Sequence, residues 1–420
     1  MRLPAPDIRL RSPATFGFQL RCPREDAQVI EVPPAPPRGF PRSEFTDRFV
    51  RAQEHMAAVG LDALLVTLPE QIRYFTGFHT ELWTSPTRPW YVVLPADRDK
   101  PIAVIPDAGA SGMAMTWVED IRSWPAPRPD DDGVTLLADA LRASAGRGGR
   151  VGAELGRELH MRIPYLELER VRALSGVELS DGTEVIRRCR RVKSDLEVDK
   201  IRYACHLASA SYEMVPALYA PGDSERSLAQ KFRLDVITRG ADGSPFLVAS
   251  SGPAGYSTIT MGPTDRVLQR GDVLIIDTGT TYDGYFCDFD RNWSIGYATD
   301  EVKRAHEAAW LATEAGLAAA TPGATCAQLW LAMDSVLGSV GSLGNNAGRI
   351  GHGLGLQLTE PPSLTGDDDT VLDVGAVITI EPGMEFAPGR MMVHEEVIVI
   401  REGGAELLTV RAPQEIPVIS

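Results

Sequence analysis

Cysteine is scarce and scattered in this chain of 420 residues. Five are present, at 22, 189, 205, 287 and 326, with no Cys-x-x-Cys pair. That argues against a disulfide frame or a zinc knuckle and fits reduced thiols in a cytoplasm. Positive charge is also short. Forty-two Lys and Arg against 57 Asp and Glu leave a formal charge of −15, which speaks against nucleic acid or an anionic membrane as a partner. No apolar run approaches the roughly 18 residues of a membrane span. The opening "MRLPAPDIRLRSP" lacks an apolar signal core, so a cytoplasmic location is expected. No repeat recurs at a 20–50-residue period. What remains is ordinary globular composition, 44% hydrophobic and 24% charged, in a chain long enough for two or three cores.

The pattern along the chain divides it. Residues 1–42 are proline-rich ("EVPPAPPRGFPR") and read as an arm lying on the surface or on a partner subunit. Residues 43–186 read as a three-layer α/β domain. Ser43 is the expected cap of a helix ending at Gly60, followed by strands "ALLVTL" (63–68), "YVVLP" (91–95), "IAVIP" (102–106) and "RVGAEL" (150–155) and helices near 134–145 and 162–174. The basic stretch "IRRCRRVKS" (186–194) reads as a solvated linker. Residues 187–420 then read as α+β. A long helix is capped by Ser194, helices follow near 224–239, 301–319 and 326–338, and the strands between are hairpin-like.

Carboxylates at strand ends carry the chemistry. In "GDVLIIDTGTTYDGYFCDFDRNWSIG" (271–296) an apolar strand presents Asp277, Asp283-Gly284 turns the chain, and Asp288 returns on the partner strand. A carboxylate in such a setting costs several kcal/mol, about 2–7 for a polar group without a partner, and two facing each other repel unless a cation intervenes. "GAVITIEPGMEF" (375–386) ends an apolar strand on Glu381, and "RMMVHEEVIVI" (390–400) alternates so that Glu395 shares the face of Val393 and Val397. "RIGHGLGLQLTEPPS" (349–363) sets His352 among Gly351, Gly353 and Gly355 in what reads as an exposed, hinge-like loop. Two aspartates, two glutamates and one imidazole suit a pair of divalent ions such as Mn, Fe, Co or Zn. Asp290 is a candidate sixth ligand, or a group that orients Arg291. No second histidine follows His394-Glu395 to complete an HExxH site, and His55, His206 and His306 read as surface or packing residues.

These marks, "DTG…DGYFCDFDR" (277–291), "GHGLG" (351–355), "ITIEPGM" (378–384) and "HEEVIVI" (394–400), resemble the pita-bread metallopeptidase family of prolidase, Xaa-Pro aminopeptidase, methionine aminopeptidase and creatinase. "GLDALLVTLPEQIRYFTGF" (60–78) and "CRRVKSDLEVDKIRYA" (189–204) resemble its creatinase/prolidase N-terminal domain. The resemblance implies an α/β N-domain and an α+β pita-bread catalytic domain. Asp277 would bind one metal, His352 and Glu381 the other, with Asp288 and Glu395 bridging. Glu381 would also shuttle a proton, and His352 and Glu381 would form the catalytic core of a hydrolase acting on a C–N bond. A homodimer is implied too, because in this family the N-domain of one subunit often lines the site of its partner.

The chain departs from the family at the substrate. Peptidases of the family continue "GHG" to "HEPP", whereas here Thr359 precedes Glu360, and "SSGPAGYSTITMGPTDR" (250–266) lacks a second substrate histidine. The loop "FHTELWTSPTRPW" (78–90) offers His79, Trp83 and Arg88 either as packing and surface residues or as a pocket wall for a small substrate. The expected function is hydrolysis of a dipeptide-like or amide substrate, resembling Xaa-Pro dipeptidases. The alternatives are a non-peptidase on a small zwitterion, similar to dimethylsulfoniopropionate lyase or ectoine hydrolase, and a non-catalytic binding protein.

Overall fold

A computed structural model describes residues 30–345 and 347–420. The arm expected over 1–42 therefore lies mostly outside the described residues. Its last part, 30–41, is extended and rests on the chain's own second half. Tyr282 Oη donates to Pro36 O (2.7 Å), and Gly39 N donates to Asp283 Oδ2 (2.7 Å). The first helix is Arg42–Val59. It starts after Pro41 with no side-chain cap, so the expected Ser43 cap is not made, while Gly60 closes it with φ +69° as expected.

Six strands form the first sheet, in the spatial order 120–124, 102–106, 91–95, 63–66, 150–153 and 178–181. The two central pairings are antiparallel and the outer ones parallel. The strands are short and apolar because both faces are covered. Leu64, Val66, Val92 and Leu94 pack on one side, and Ala63, Leu65, Tyr91 and Val93 on the other, against Leu137 and Leu141 of the helix Val134–Ala145. This is the α/β layering expected of the N-terminal part.

The basic stretch is not a solvated linker. Residues Thr183–Arg191 form a helix that runs through the expected boundary at 186/187. Arg190 and Lys193 are buried and both reach Glu360, Lys193 at 3.3 Å, while Arg190 also donates to Gln71 and Gln357. Charge runs are usually solvated. Here a buried carboxylate and two buried cations compensate one another.

Ser194 caps the helix Asp195–Glu213 with a reciprocal bond from Glu197, as the sequence pattern predicts. Two sheets follow. One runs in the order 418–419, 289–295, 272–282 and 243–253, and the other in the order 360–363, 352–353, 377–380, 396–401 and 404–407. The helices Asp195–Glu213 and Glu225–Arg239 pack by the first sheet, and Asp300–Ala319 and Cys326–Ser339 belong to the core of the second. Among the described residues no helix is long and apolar enough to cross a membrane.

Candidate metal centre

Asp277 lies within the strand Asp272–Tyr282, not at its end as expected. Its ladder partner on the strand Phe289–Ile295 is Asp290. The Asp283-Gly284 turn has φ +47° and +80°, both left-handed, and sets this register. Asp288 sits between Tyr285–Phe286 and Phe289–Ile295 and is buried.

His352 is also buried, correcting the exposed, hinge-like reading. It occupies a two-residue strand paired with Glu360–Ser363 and Val377–Ile380. The neighbouring glycines are there for space. At Gly351, with φ +139°, a Cβ would stand 2.3 Å from Thr379 O, and at Gly353 it would stand 2.5 Å from Pro361 O. His352 Nδ1 donates to Gly353 O (2.9 Å) and His352 N to Thr379 Oγ1 (3.1 Å). That bond fixes the tautomer and leaves the Nε2 lone pair 3.4 Å from Asp288 Oδ2.

Glu381 follows the strand Val377–Ile380 and is partly exposed, whereas Glu395, ahead of the strand Glu396–Arg401, is buried. The structure gathers Asp288, His352 and Glu395 so closely that one ligand atom from each lies within 4.8 Å of the others. Asp277 and Glu381 adjoin them, since each bears electrostatically on this group. Asp277 Oδ1, Asp288 Oδ1, Asp290 Oδ2 and Glu395 Oε1 are buried with no hydrogen-bond partner among the described residues.

Burial, then the charges of Asp288 and Glu381, push Asp277 well above the usual carboxylate range. Burial raises Asp288 strongly, against Arg349. Burial together with Glu381, Asp288, Asp277 and Asp290 raises Glu395. Burial also lifts Glu381, to about 7, with His352 opposing and Asp288 assisting. His352 is held below its ordinary value by burial, with Glu381 opposing. Burial thus works against charge on both partners of the 3.4 Å contact between Asp288 and His352.

Asp290 does not orient Arg291 with its side chain. Its Oδ1 accepts from Asn292 (3.1 Å), and Arg291 pairs with Glu396 (3.0 Å). His394 is buried against Thr313 and Arg411. Thr359 is exposed and accepts from Arg349 at 3.1 Å. Arg349 is a charged group by the centre that sequence reading did not single out. It bears electrostatically on Asp288, His352 and Glu381, and its nearness to His352 in the chain was the available signal.

His79, Trp83 and Arg88 make their contacts within the N-terminal part. Trp83 Nε1 donates to His79 Nδ1 (3.3 Å), and the Trp83 ring stands edge-on to Phe78 and Trp90, both at 5.6 Å. Arg88 donates weakly to Ser85 (3.4 Å). Among the described residues no hydrogen bond or ring contact of the three reaches Asp277, Asp288, His352, Glu381 or Glu395.

The two-part fold and its carboxylate-rich centre define a pita-bread protein. The model of the "Metallopeptidase family M24" matches residues 199–402 and that of the "Creatinase/Prolidase N-terminal domain" residues 48–192. The chain is 28% identical over 384 residues to the probable dipeptidase PepE of Mycobacterium tuberculosis, covering 91% of this chain and 98% of that protein. It is 30% identical over 252 residues to the Xaa-Pro dipeptidase of Pyrococcus horikoshii, covering 59% and 71%. The crystal structure of dipeptidase PepE from Mycobacterium ulcerans superposes with a TM-score of 0.79 at 29% identity, over 91% of this chain and 99% of that one. The chain belongs to metallopeptidase family M24 and carries the creatinase/prolidase N-terminal domain.

The family implies divalent metal ions, and the donor set fits them. Asp288, His352 and Glu395 bring one ligand atom each within 4.8 Å of one another, and Asp277, Asp288, Asp290 and Glu395 each keep a buried oxygen with no hydrogen-bond partner among the described residues. Hard oxygen donors with one nitrogen suit Mn, Fe, Co or Zn.

Proposed function

We propose that this chain is a dinuclear metal-dependent hydrolase that cleaves the C–N bond of a small dipeptide-like or amide substrate, resembling Xaa-Pro dipeptidases, and works as a cytoplasmic homodimer. The observation that carries this reading is the meeting of Asp288, His352 and Glu395, with unpartnered oxygens on Asp277 and Asp290 besides. The relatives named as dipeptidases support it.

Asp277, Asp288, His352, Glu381 and Glu395 would hold two ions, which when bound lower the pKa of a water and polarise a substrate carbonyl. Glu381 would also accept a proton from the attacking water and pass it to the leaving nitrogen. Arg349, bonded to Thr359, would meet negative charge on the substrate. In this reading His79, Trp83 and Arg88 line the site of the second copy.

The exposed Thr359 favours a second reading, a non-peptidase acting on a small zwitterion, such as a lyase. The test is a screen of Xaa-Pro dipeptides, N-acyl amino acids, ectoine-like amides and dimethylsulfoniopropionate with Mn and Fe supplied. Release of an amine or amino acid is expected. Dimethyl sulfide with no C–N cleavage would replace the first reading by the second, and a metal-free, inactive protein would leave only a binding role.

A further inference from the structure

The strand Phe289–Ile295 carries one carboxylate that the proposed ligand set does not use. Asp290 is the ladder partner of Asp277, and paired residues of an antiparallel ladder project from the same face of the sheet. Its side chain therefore leaves the strand on the side from which Asp277 would reach a metal. Asp277 and Glu381 bear on Asp290 electrostatically, and Asp290 bears on Glu395, so it adjoins the centre from more than one direction.

Asp290 is 1% exposed, and among the described residues no lysine or arginine pairs with its carboxylate. The neighbouring Arg291 turns to Glu396 (3.0 Å) and meets Asp290 only at its backbone oxygen (2.6 Å). One carboxylate oxygen, Oδ1, accepts from Asn292 Nδ2 (3.1 Å), and the other, Oδ2, is buried without a hydrogen-bond partner. Asn292 is itself fixed. Its Nδ2 also donates to Val393 O (2.7 Å), and its Oδ1 accepts from Tyr256 Oη (3.1 Å), which accepts in turn from Val393 N (2.7 Å). A polar network thus aims the carboxylate by one oxygen and leaves the second bare, where a buried polar atom ordinarily has a partner. Metal-binding carboxylates are held in this way, by hydrogen bonds that orient them toward the ion.

We propose that Asp290 is a sixth residue of the metal centre, offering Oδ2 beside Asp277 with Asn292 and Tyr256 as its positioning residues, and that it tilts the centre toward manganese over zinc. The inference rests on the dinuclear reading above. Manganese accepts an octahedral shell of hard oxygen donors, whereas zinc is commonly satisfied by four ligands and takes nitrogen and sulfur readily. One more anionic oxygen therefore strengthens manganese binding more than zinc binding.

The experiment titrates the metal-stripped full chain at fixed pH with manganese, the free ion read by electron paramagnetic resonance, and with zinc, read by competition against a chromophoric chelator. Wild type is compared with Asp290→Asn, which keeps an acceptor for Asn292, and with the smaller Asp290→Ala, which keeps the test decisive if the first variant folds poorly. Two ions per wild-type chain are expected. Manganese affinity should fall about a hundredfold in both variants, the upper end of the loss of about 10–100-fold seen when an orienting partner alone is removed, and zinc affinity should fall less. Unchanged manganese affinity in variants that still bind two ions overturns this inference alone, and a lowered melting temperature with that result would make Asp290 a structural residue. Equal losses for the two metals overturn the preference for manganese. A wild type that takes up neither ion overturns the dinuclear reading and this inference with it.

Discussion

Arg349 donates a 3.1 Å hydrogen bond to Thr359 Oγ1 where the family motif would carry a histidine. The guanidinium so held bears on Asp288, His352 and Glu381 at once. Thr359→Val removes the tether but touches no proposed ligand. We expect kcat/KM to fall about tenfold, equivalent to about 1.4 kcal/mol, with metal content unchanged. An unaltered kcat/KM would deny Arg349 any role in binding. Because threonine cannot carry a positive charge or relay protons as an imidazole can, Xaa-Pro dipeptides should be cleaved slowly, by about 10²–10³-fold, the size of losing one group that stabilises the transition state.

Asp288→Ala and Glu395→Ala each take away a buried carboxylate at the heart of the centre. Elemental analysis should find close to two divalent ions per chain in the proposed enzyme, with most metal and activity lost together in both variants. Full occupancy in either variant would remove that residue from the ligand set.

The loop carrying Trp83 tests the homodimer. If a second copy presents it to the site, Trp83→Ala lowers turnover while metal content stays the same. A melting-temperature loss with unaltered kinetics would leave Trp83 a packing residue against Phe78 and Trp90.

Glu360 answers to Arg190 and Lys193. Burial would raise its pKa, yet the two cations bring it below the ordinary value. Glu360→Gln leaves two buried cations without a counter-charge, a change of the kind that costs about 3–5 kcal/mol. Urea unfolding should show a lowered midpoint, and an unchanged midpoint would mean that solvent reaches the cluster.

His306 supplies a pH test of folding. It is buried, bonded through Nδ1 to Gln414 O (3.1 Å), and burial lowers its pKa to about 4. A depressed histidine contributes stability that is present above the unfolded value near 6.5 and is lost as the pH falls toward 4. The wild type should therefore lose more stability than His306→Asn between pH 7 and pH 4.5, read as the shift in thermal midpoint. Parallel losses in the two proteins would show that His306 is already charged in the fold.

Much of the architecture was legible because it rests on local rules. The strands at 91–95 and 102–106 and the helix at 134–145 have the expected bounds, since apolar period, length and flanking residues act over a few positions. Ser194 was readable as a cap from Glu197 three residues on, whereas Ser43 has Thr46 at that place and lost to Pro41, whose fixed φ already starts the helix. The proposed metal residues were legible for a different reason. A carboxylate on an apolar strand contradicts its surroundings, and Glu381 and Glu395 stand out for that contradiction.

What the sequence by itself determined is therefore the order of elements and the identity of the residues that must be compensated. Tertiary structure decided what compensates them. Charge does not reveal burial, so "IRRCRRVKS" looked solvated until Glu360, some 170 positions away, proved to be the partner of Arg190. The same holds for His352, which looked exposed because glycines usually mark mobile loops. Its glycines instead admit Thr379 O and Pro361 O at distances no side chain would permit, and that crowding is a property of strands brought together only by the fold.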